Sequence, residues 1–320
     1  MRHDIKSPIW DIHTGIPDLT GKVAIVTGAH SPNGIGWNIA HQLALNGARV
    51  YIGALTPDFA VAGIQEMIKA SPVTIDVRPL IMNLVDFKQV SSVAMQFMEE
   101  ESRLDILVNN AAVLARPLDK TEEGISVSFA TNHLGPFLFT TTLLPLVKKT
   151  ALEHPGARIV NISSTSHELV PPGITLSSVH DFNAELGGTH DFKSNMTRYA
   201  LSKLAGILFT KQLQLRLNQE GTQAIVLAVH PGGVITDGIM TLVGGKLDKK
   251  KEGMTPLEGA TTPLFAATNP IIWGEKEKYE GQYLMPYGVV WETSENANNP
   301  ALALDLWETS EKVLKDILGQ

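Results

Sequence analysis

The chain contains no cysteine, which excludes disulfides, thiolate catalysis and cysteine-held metal ions and leaves packing alone to hold the fold. It has no uncharged apolar run of about 18 residues, the length a membrane helix needs, and residues 1–6 are polar, without the hydrophobic stretch of a signal peptide. No transmembrane segment and a cytoplasmic location are therefore expected. The net charge is −7, with 26 Lys and Arg dispersed among 33 Asp and Glu, so there is no basic stripe to track a phosphate backbone and nucleic acid is not an expected partner. No carboxylates are paired for glycoside or phosphate chemistry. His180, His190 and Asp191 lack a metal-ligand spacing, so no metal is expected. Internal repeats, low-complexity tracts and linkers are also missing, and 43% hydrophobic residues in a chain of 320 suffice for one sizeable core.

What is present is an alternation of short apolar runs and helical patterns. Val23-Ala24-Ile25-Val26-Thr27 reads as a strand, residues 35–45 as a helix stopped by Asn46-Gly47, and Val50-Tyr51-Ile52 as the next strand, which makes a βαβ unit. Further strands are predicted at 80–82, 106–108, 158–162, 224–229 and 282–284. Helices are predicted near 87–101, at 124–148 with interruptions at Pro136 and Pro145, at 199–217 and at 301–318. Nearly continuous apolar strands separated by helices predict a doubly wound α/β fold, a single Rossmann-type domain with about seven mostly parallel strands. Residues 1–20 read as an N-terminal arm on a domain spanning 21–320. Two long loops, 166–197 and 237–256, follow strands that end at the predicted crevice, and the second reads as a substrate lid. Its Lys249-Lys250-Lys251 run reads as a solvated loop.

Tyr199 and Lys203 are four residues apart on one helix face, so an ammonium can lie beside a phenol and favour its ionised form. Ser164 closes the strand-end sequence Asn161-Ile162-Ser163-Ser164. Upstream, Thr27-Gly28-Ala29-His30-Ser31-Pro32-Asn33-Gly34-Ile35-Gly36 follows a strand and opens a helix, the context in which glycines let a backbone approach a pyrophosphate at a helix N-terminus. At the end of the second strand, Ile52-Gly53-Ala54-Leu55-Thr56 carries neither an acid for ribose hydroxyls nor an arginine for a 2′-phosphate. With no carboxylate to repel phosphate, and with His30, Ser31 and Thr56 as donors, NADP(H) is favoured and NAD(H) stays open.

Together these segments resemble the short-chain dehydrogenase/reductase family, and over residues 20–315 its retinol-dehydrogenase-like branch. The resemblance rests on Thr27 through Gly36, Asn109-Asn110-Ala111-Ala112, Asn132-His133-Leu134-Gly135-Pro136-Phe137, Asn161 through Ser164, Tyr199 through Lys203, His230-Pro231-Gly232-Gly233-Val234 and Leu306-Trp307-Glu308-Thr309-Ser310-Glu311. It implies a catalytic tetrad of Asn132, Ser164, Tyr199 and Lys203. In that tetrad Tyr199 is the general acid or base and Ser164 stabilises charge on the substrate oxygen. Lys203 supports the phenolate and the nicotinamide ribose, and Asn132 fixes a helix distortion and a water. It also implies cofactor contacts from Gly28, His30, Ser31, Gly34, Ile35, Gly36, Leu55, Thr56, Asn83, Leu84, Asn109, Ala111, Pro231, Gly232, Val234 and Thr236. Asn109 and Ala111 would border the adenosine ribose, and Val234 and Thr236 the carboxamide.

Departures from the pattern are the five residues between Gly28 and Gly34 where three are usual, Ala112 for glycine, Asn83 for aspartate and Leu55 for the arginine of that branch. The implied activity is reduction of a ketone or aldehyde, or the reverse alcohol oxidation. The apolar lid residues Ile239, Met240, Leu242 and Val243 favour a hydrophobic small molecule. A nucleotide-sensing binding protein and a tailoring enzyme that reduces an imine or enone are the alternatives. Asn110 reads as a brace between strands and His167 as a polar loop residue. Leu201, Leu204, Leu208 and Leu215 read as buried packing, within the chain or against a second copy in a homodimer.

Overall fold

The computed structural model describes residues 10–246 and 253–319; the lysine run at 249–251 and the start of the arm lie outside these. Eight strands form one sheet in the order β3-β2-β1-β4-β5-β6-β7-β8. They are β1 (Val23–Val26), β2 (Arg49–Ala54), β3 (Asp76–Ile81), β4 (Ile106–Asn109), β5 (Arg158–Ile162), β6 (Ile225–Val229), β7 (Tyr283–Met285) and β8 (Val289–Val290). The first seven pair in parallel. The eighth, not expected from the sequence, is a two-residue antiparallel return on β7, too short to leave an apolar signature.

Because successive side chains on a strand point to opposite faces, the central strands fill two cores. Ile25, Tyr51, Leu107, Ile159 and Val226 face one, and Val26, Val50, Ile52, Val108, Val160 and Leu227 face the other. Helices α1 (Ile35–Leu45), α2 (Pro57–Ala70) and α6 (Pro256–Thr268) bury side chains in the second core. The first is covered by α3 (Phe87–Glu100), α4 (Gly135–Glu153), α5 (Phe192–Gln219) and α7 (Pro300–Leu318). This is the doubly wound Rossmann arrangement. Trp10, Ile12, Ile16 and Leu19 pack into the second core as well, with Trp10 set edge-on to Phe265 at 5.8 Å.

Local chemistry explains the boundaries. Thr56 caps α2 by accepting the Phe59 N–H, ahead of Pro57 in the first turn. Asp191 caps α5 through the Ser194 N–H, so this helix starts at Phe192, not at 199. Thr255 and Glu258 form a capping box for α6, which the sequence reading left unassigned. The predicted loop 166–197 is correspondingly shorter and more ordered, with a 3₁₀ turn at Thr165–Leu169 and a helical turn at Val179–Phe182. Arg198 is buried and bonds the carbonyls of Glu185, Gly188 and Thr189, tying this segment to α5.

At the β3 edge, Arg49 Nε and Arg78 Nε both donate to Asp76, at 2.8 and 3.0 Å. Arg49 also reaches Glu101, which accepts the Tyr51 hydroxyl. Among the described residues, no helix is long and apolar enough to cross a membrane.

Candidate active site

β1, β4, β5 and β6 are neighbours in the sheet, and their C-terminal ends lie on the side where a doubly wound sheet binds its ligand. β5 delivers Ser163 and Ser164, and α5 crosses behind it with Tyr199, Ser202 and Lys203. Ser163 Oγ donates to the Lys203 carbonyl at 2.8 Å, which locks the strand end to the helix. The Tyr199 hydroxyl faces the Ser164 side chain, which pulls its proton affinity down. Lys203 Nζ donates to the Ile162 carbonyl at 2.9 Å and lies 5.6 Å from the centroid of the Tyr199 ring. Three of the predicted tetrad, Ser164, Tyr199 and Lys203, are thus in one cluster.

Asn132 sits in a π-helical turn, Ala130–Leu134, that leads into α4. Its Oδ1 accepts the Val113 N–H at 2.8 Å. Its Nδ2 donates to the Val113 carbonyl at 3.0 Å and to Ser202 Oγ at 2.9 Å. Ser202 in turn donates to the Tyr199 carbonyl at 2.7 Å. Asn132 therefore grips the segment after β4 and reaches the Tyr199 helix through Ser202, a residue the sequence reading overlooked although it lies inside the Tyr-Ala-Leu-Ser-Lys run. A small, partly open cavity of about 20 Å³ lies among Asn109, Asn132, Asn161, Ile162, Ser202 and Lys203, enough for one water. The buried Oδ1 of Asn109, on its wall, has no protein partner.

Burial sets the proton affinities. It pushes the Tyr199 phenol up to about 12, against the opposing pull of the Ser164 side chain. It lowers Lys203 to about 8, and His230, at the end of β6, to about 4, with His167 nearby adding to the effect. In the chain by itself Tyr199 holds its proton at neutral pH, and Lys203 stays mostly cationic there.

The glycine-rich turn fits a dinucleotide's pyrophosphate. Gly28 has φ +64 and lies so close to β4's extension that a Cβ would meet the Ala111 Cα at 2.8 Å. At Gly36 a Cβ would meet Asn110 Nδ2 at 2.3 Å. Asn110 is the expected brace: its Nδ2 donates to the carbonyls of Thr27 and Gly28 at 2.8 and 3.1 Å. Gly34 precedes α1, whose N-terminus has no side-chain cap, leaving its first N–H groups for an anion.

Within the lengthened turn, His30 and Ser31 each find a partner outside it. The His30 ring stacks on Phe59 at 5.0 Å, and Ser31 Oγ donates to Asp237 Oδ2 at 2.7 Å, joining the turn to the helix Asp237–Leu242. Neither Phe59 nor Asp237 stood out in the sequence. Ile35 opens α1, and Leu55 is exposed at the end of β2 beside Thr56.

Other expected contact residues are placed less directly. Asn83 Oδ1 accepts the Val85 N–H at 3.3 Å, and Leu84 is buried in the core. The Asn109 side chain turns inward, donating to Thr140 at 2.9 Å and Asn161 at 2.8 Å, so only its backbone borders the crevice, next to Ala111. Pro231 and Gly232 carry the chain from β6 to Val234, which is paired with Met254 in a short bridge. Thr236 caps the helix Asp237–Leu242, in the segment expected to be a lid, by accepting the Ile239 N–H, and Ile239, Met240, Leu242 and Val243 are half-buried. Leu201, Leu204 and Leu208 are core residues of this chain, whereas Leu215 is 49% exposed. Among the described residues, no group of three His, Asp or Glu is arranged to hold a metal.

A family model described as short chain dehydrogenase matches residues 22–176. A short-chain dehydrogenase/reductase of Armillaria gallica is 39% identical over 307 residues, 93% of this chain and 94% of that protein. Retinol dehydrogenase 11 of Mus musculus is 35% identical over 306 residues, 94% of this chain and 87% of that protein. Among solved structures, an uncharacterized protein from Mycobacterium paratuberculosis shares the fold with a TM-score of 0.71, at 26% identity over 96% of this chain and 97% of that one.

Proposed function

The chain belongs to the short-chain dehydrogenase/reductase family, nicotinamide-dependent oxidoreductases acting on alcohol and carbonyl groups, and from that premise we propose that it reduces a ketone or aldehyde on a hydrophobic small molecule with NADPH, or runs the reverse oxidation. The observation that carries this reading is the cluster that sets the Tyr199 phenol against Ser164 with Lys203 behind its ring. A substrate carbonyl oxygen set between Ser164 and Tyr199 takes two hydrogen bonds. Ser164 stabilises the charge that develops there, and Tyr199 transfers its proton to the oxygen as the C=O bond becomes C–OH. A nicotinamide held in the crevice would supply the hydride for the carbonyl carbon.

Lys203 lowers the cost of the resulting phenolate by Coulomb attraction. Asn132 holds the wall of the small cavity from which a water can return the proton. Gly28, Gly34, Ile35 and Gly36 would hold the pyrophosphate, Asn83 and Leu84 would flank the adenine, and Asn109 and Ala111 would border the ribose. Pro231, Gly232, Val234 and Thr236 line the nicotinamide end.

Support for NADPH over NADH is the lack of a carboxylate in residues 53–56 and the presence of donors around the turn. Thr56 Oγ1 accepts at the α2 cap and keeps its own proton to donate, and His30 stacks on Phe59 in the first turn of the same helix. The half-buried apolar lid supports a hydrophobic substrate. Fluorescence titration with NADPH and NADH, followed by a panel of aldehydes and ketones with the better one, tests the reading. A tenfold preference for NADH, worth about 1.4 kcal/mol, reverses the cofactor choice, and a panel without turnover removes the reductase.

A further inference from the structure

His167 is fully buried, 0% exposed, in the 3₁₀ turn that follows Ser164. Its Nδ1 is 2.8 Å from the Ser164 carbonyl oxygen, and its Nε2 lies 3.3 Å from the backbone nitrogen of Ser294. A backbone N–H can only donate, so Nε2 must be the bare, accepting nitrogen. The proton is then on Nδ1 and is donated to the Ser164 carbonyl. The same oxygen also accepts the His167 backbone N–H at 3.2 Å. Tyr283 sets the ring from the side, edge-on at 5.3 Å.

The donor to Nε2 belongs to the segment after β8, which is anchored independently. Asn296 Nδ2 donates to the Pro171 carbonyl at 2.9 Å, and Lys211 Nζ donates to Thr293 at 3.2 Å. The late segment thus holds a neutral imidazole of one tautomer against the peptide that carries Ser164.

We propose that His167 is a positioning residue for Ser164: its Nδ1–H fixes the Ser164 carbonyl and so aims Oγ at the substrate oxygen, while the segment 291–298 holds the ring through Nε2. The inference rests on the role given to Ser164 above. Ser164 Oγ is otherwise held locally only by the Ser166 N–H, at 3.1 Å, and a donor displaced by a fraction of an ångström stabilises the developing charge less. A ring that only filled space would be replaceable by another ring. One that acts through Nδ1 is replaceable by asparagine, whose amide nitrogen is attached at the same distance from Cβ. Glutamine, whose nitrogen sits farther out, reaches the Nε2 position instead.

The test uses the full chain with NADPH and the fastest substrate of a panel of straight-chain and aromatic aldehydes and ketones. His167→Asn, His167→Gln, His167→Phe, Ser164→Ala and the double variant Ser164→Ala/His167→Gln are compared in kcat, KM, NADPH affinity by fluorescence and Tm. We expect His167→Gln and His167→Phe to lose tenfold or more in kcat, with KM and NADPH affinity within twofold. His167→Asn should recover to within threefold of the parent, and the double variant should be no slower than Ser164→Ala. Equal losses for Asn and Gln, a His167→Phe protein with full kcat, or an undiminished effect of Gln in the Ser164→Ala background would each overturn the proposal while leaving the role of Ser164 intact. Full turnover by Ser164→Ala would instead remove that role, and the proposal with it.

Discussion

Lys203 lies beneath the Tyr199 ring, 5.6 Å from its centroid, and is held there by the Ile162 carbonyl at 2.9 Å. The strand end, not the phenol, fixes where the cation stands. Burial moves the two groups apart on the pH scale, the tyrosine up to about 12 and the lysine down to about 8.

Tyr199→Phe keeps the ring and its packing and removes only the acid. Turnover should fall about 100- to 10,000-fold, with NADPH affinity within threefold by fluorescence titration. A variant that keeps its rate would restore the nucleotide-sensing alternative.

The lowered Lys203 gives a pH dependence of known sign. Its folded value, about 8, lies below the ordinary 10.5, so the ammonium is lost as pH rises through about 8. Carbonyl reduction should therefore decline on the alkaline side with an apparent midpoint near that value, and Lys203→Met should be slow with this limb removed. A pH–rate profile flat to about pH 10 would contradict the assignment.

Acid should weaken the fold before the carboxylates are protonated. His133 is buried among Phe129, Phe137 and Phe209, its Nε2 2.9 Å from Ser310 Oγ, and burial lowers it from 6.5 to about 3. Between these values the unfolded chain binds the proton and the folded chain does not. The stabilising contribution is therefore complete above about pH 6.5 and is lost as pH falls. From pH 7 to 5 this group should cost about 2 kcal/mol, seen in urea unfolding at the two pH values and reduced in His133→Phe.

Gly36→Ala puts a methyl group 2.3 Å from Asn110 Nδ2 and 2.7 Å from the Gly28 carbonyl oxygen. Either the brace or the turn has to move. NADPH binding should weaken at least tenfold and unfolding free energy should drop by about 1–3 kcal/mol; unchanged titration curves would count against the turn as the pyrophosphate site.

Where side chains speak to near neighbours, the sequence was readable. β1, β4, β5 and β6 are short β-branched runs bounded by the motifs that end them, and their order implied the parallel sheet. β3 was only half visible because Asp76, Arg78 and Pro79 interrupt its pattern. The start of α5 was hidden because its cap, Asp191, sits among histidines and glycines that read as loop. α6 was missed because Pro263 lies inside it, although the Thr255–Glu258 capping box announces its start.

In the site, Tyr199, Ser164 and Lys203 were legible because strand end and helix spacing bring them together. The inward turn of the Asn109 side chain was not, because it depends on Thr140 and Asn161. The setting of His167 depends on Ser294, 127 residues away, and no local pattern encodes that distance.

The two margins of the sheet differ in kind. On one side Asp76, Arg78 and Pro79 present charge and a missing donor, and on the other the ladder stops after the two residues of β8. Neither offers a template along which a second molecule could extend the strands, so stacking into filaments is discouraged by composition at one border and by brevity at the other.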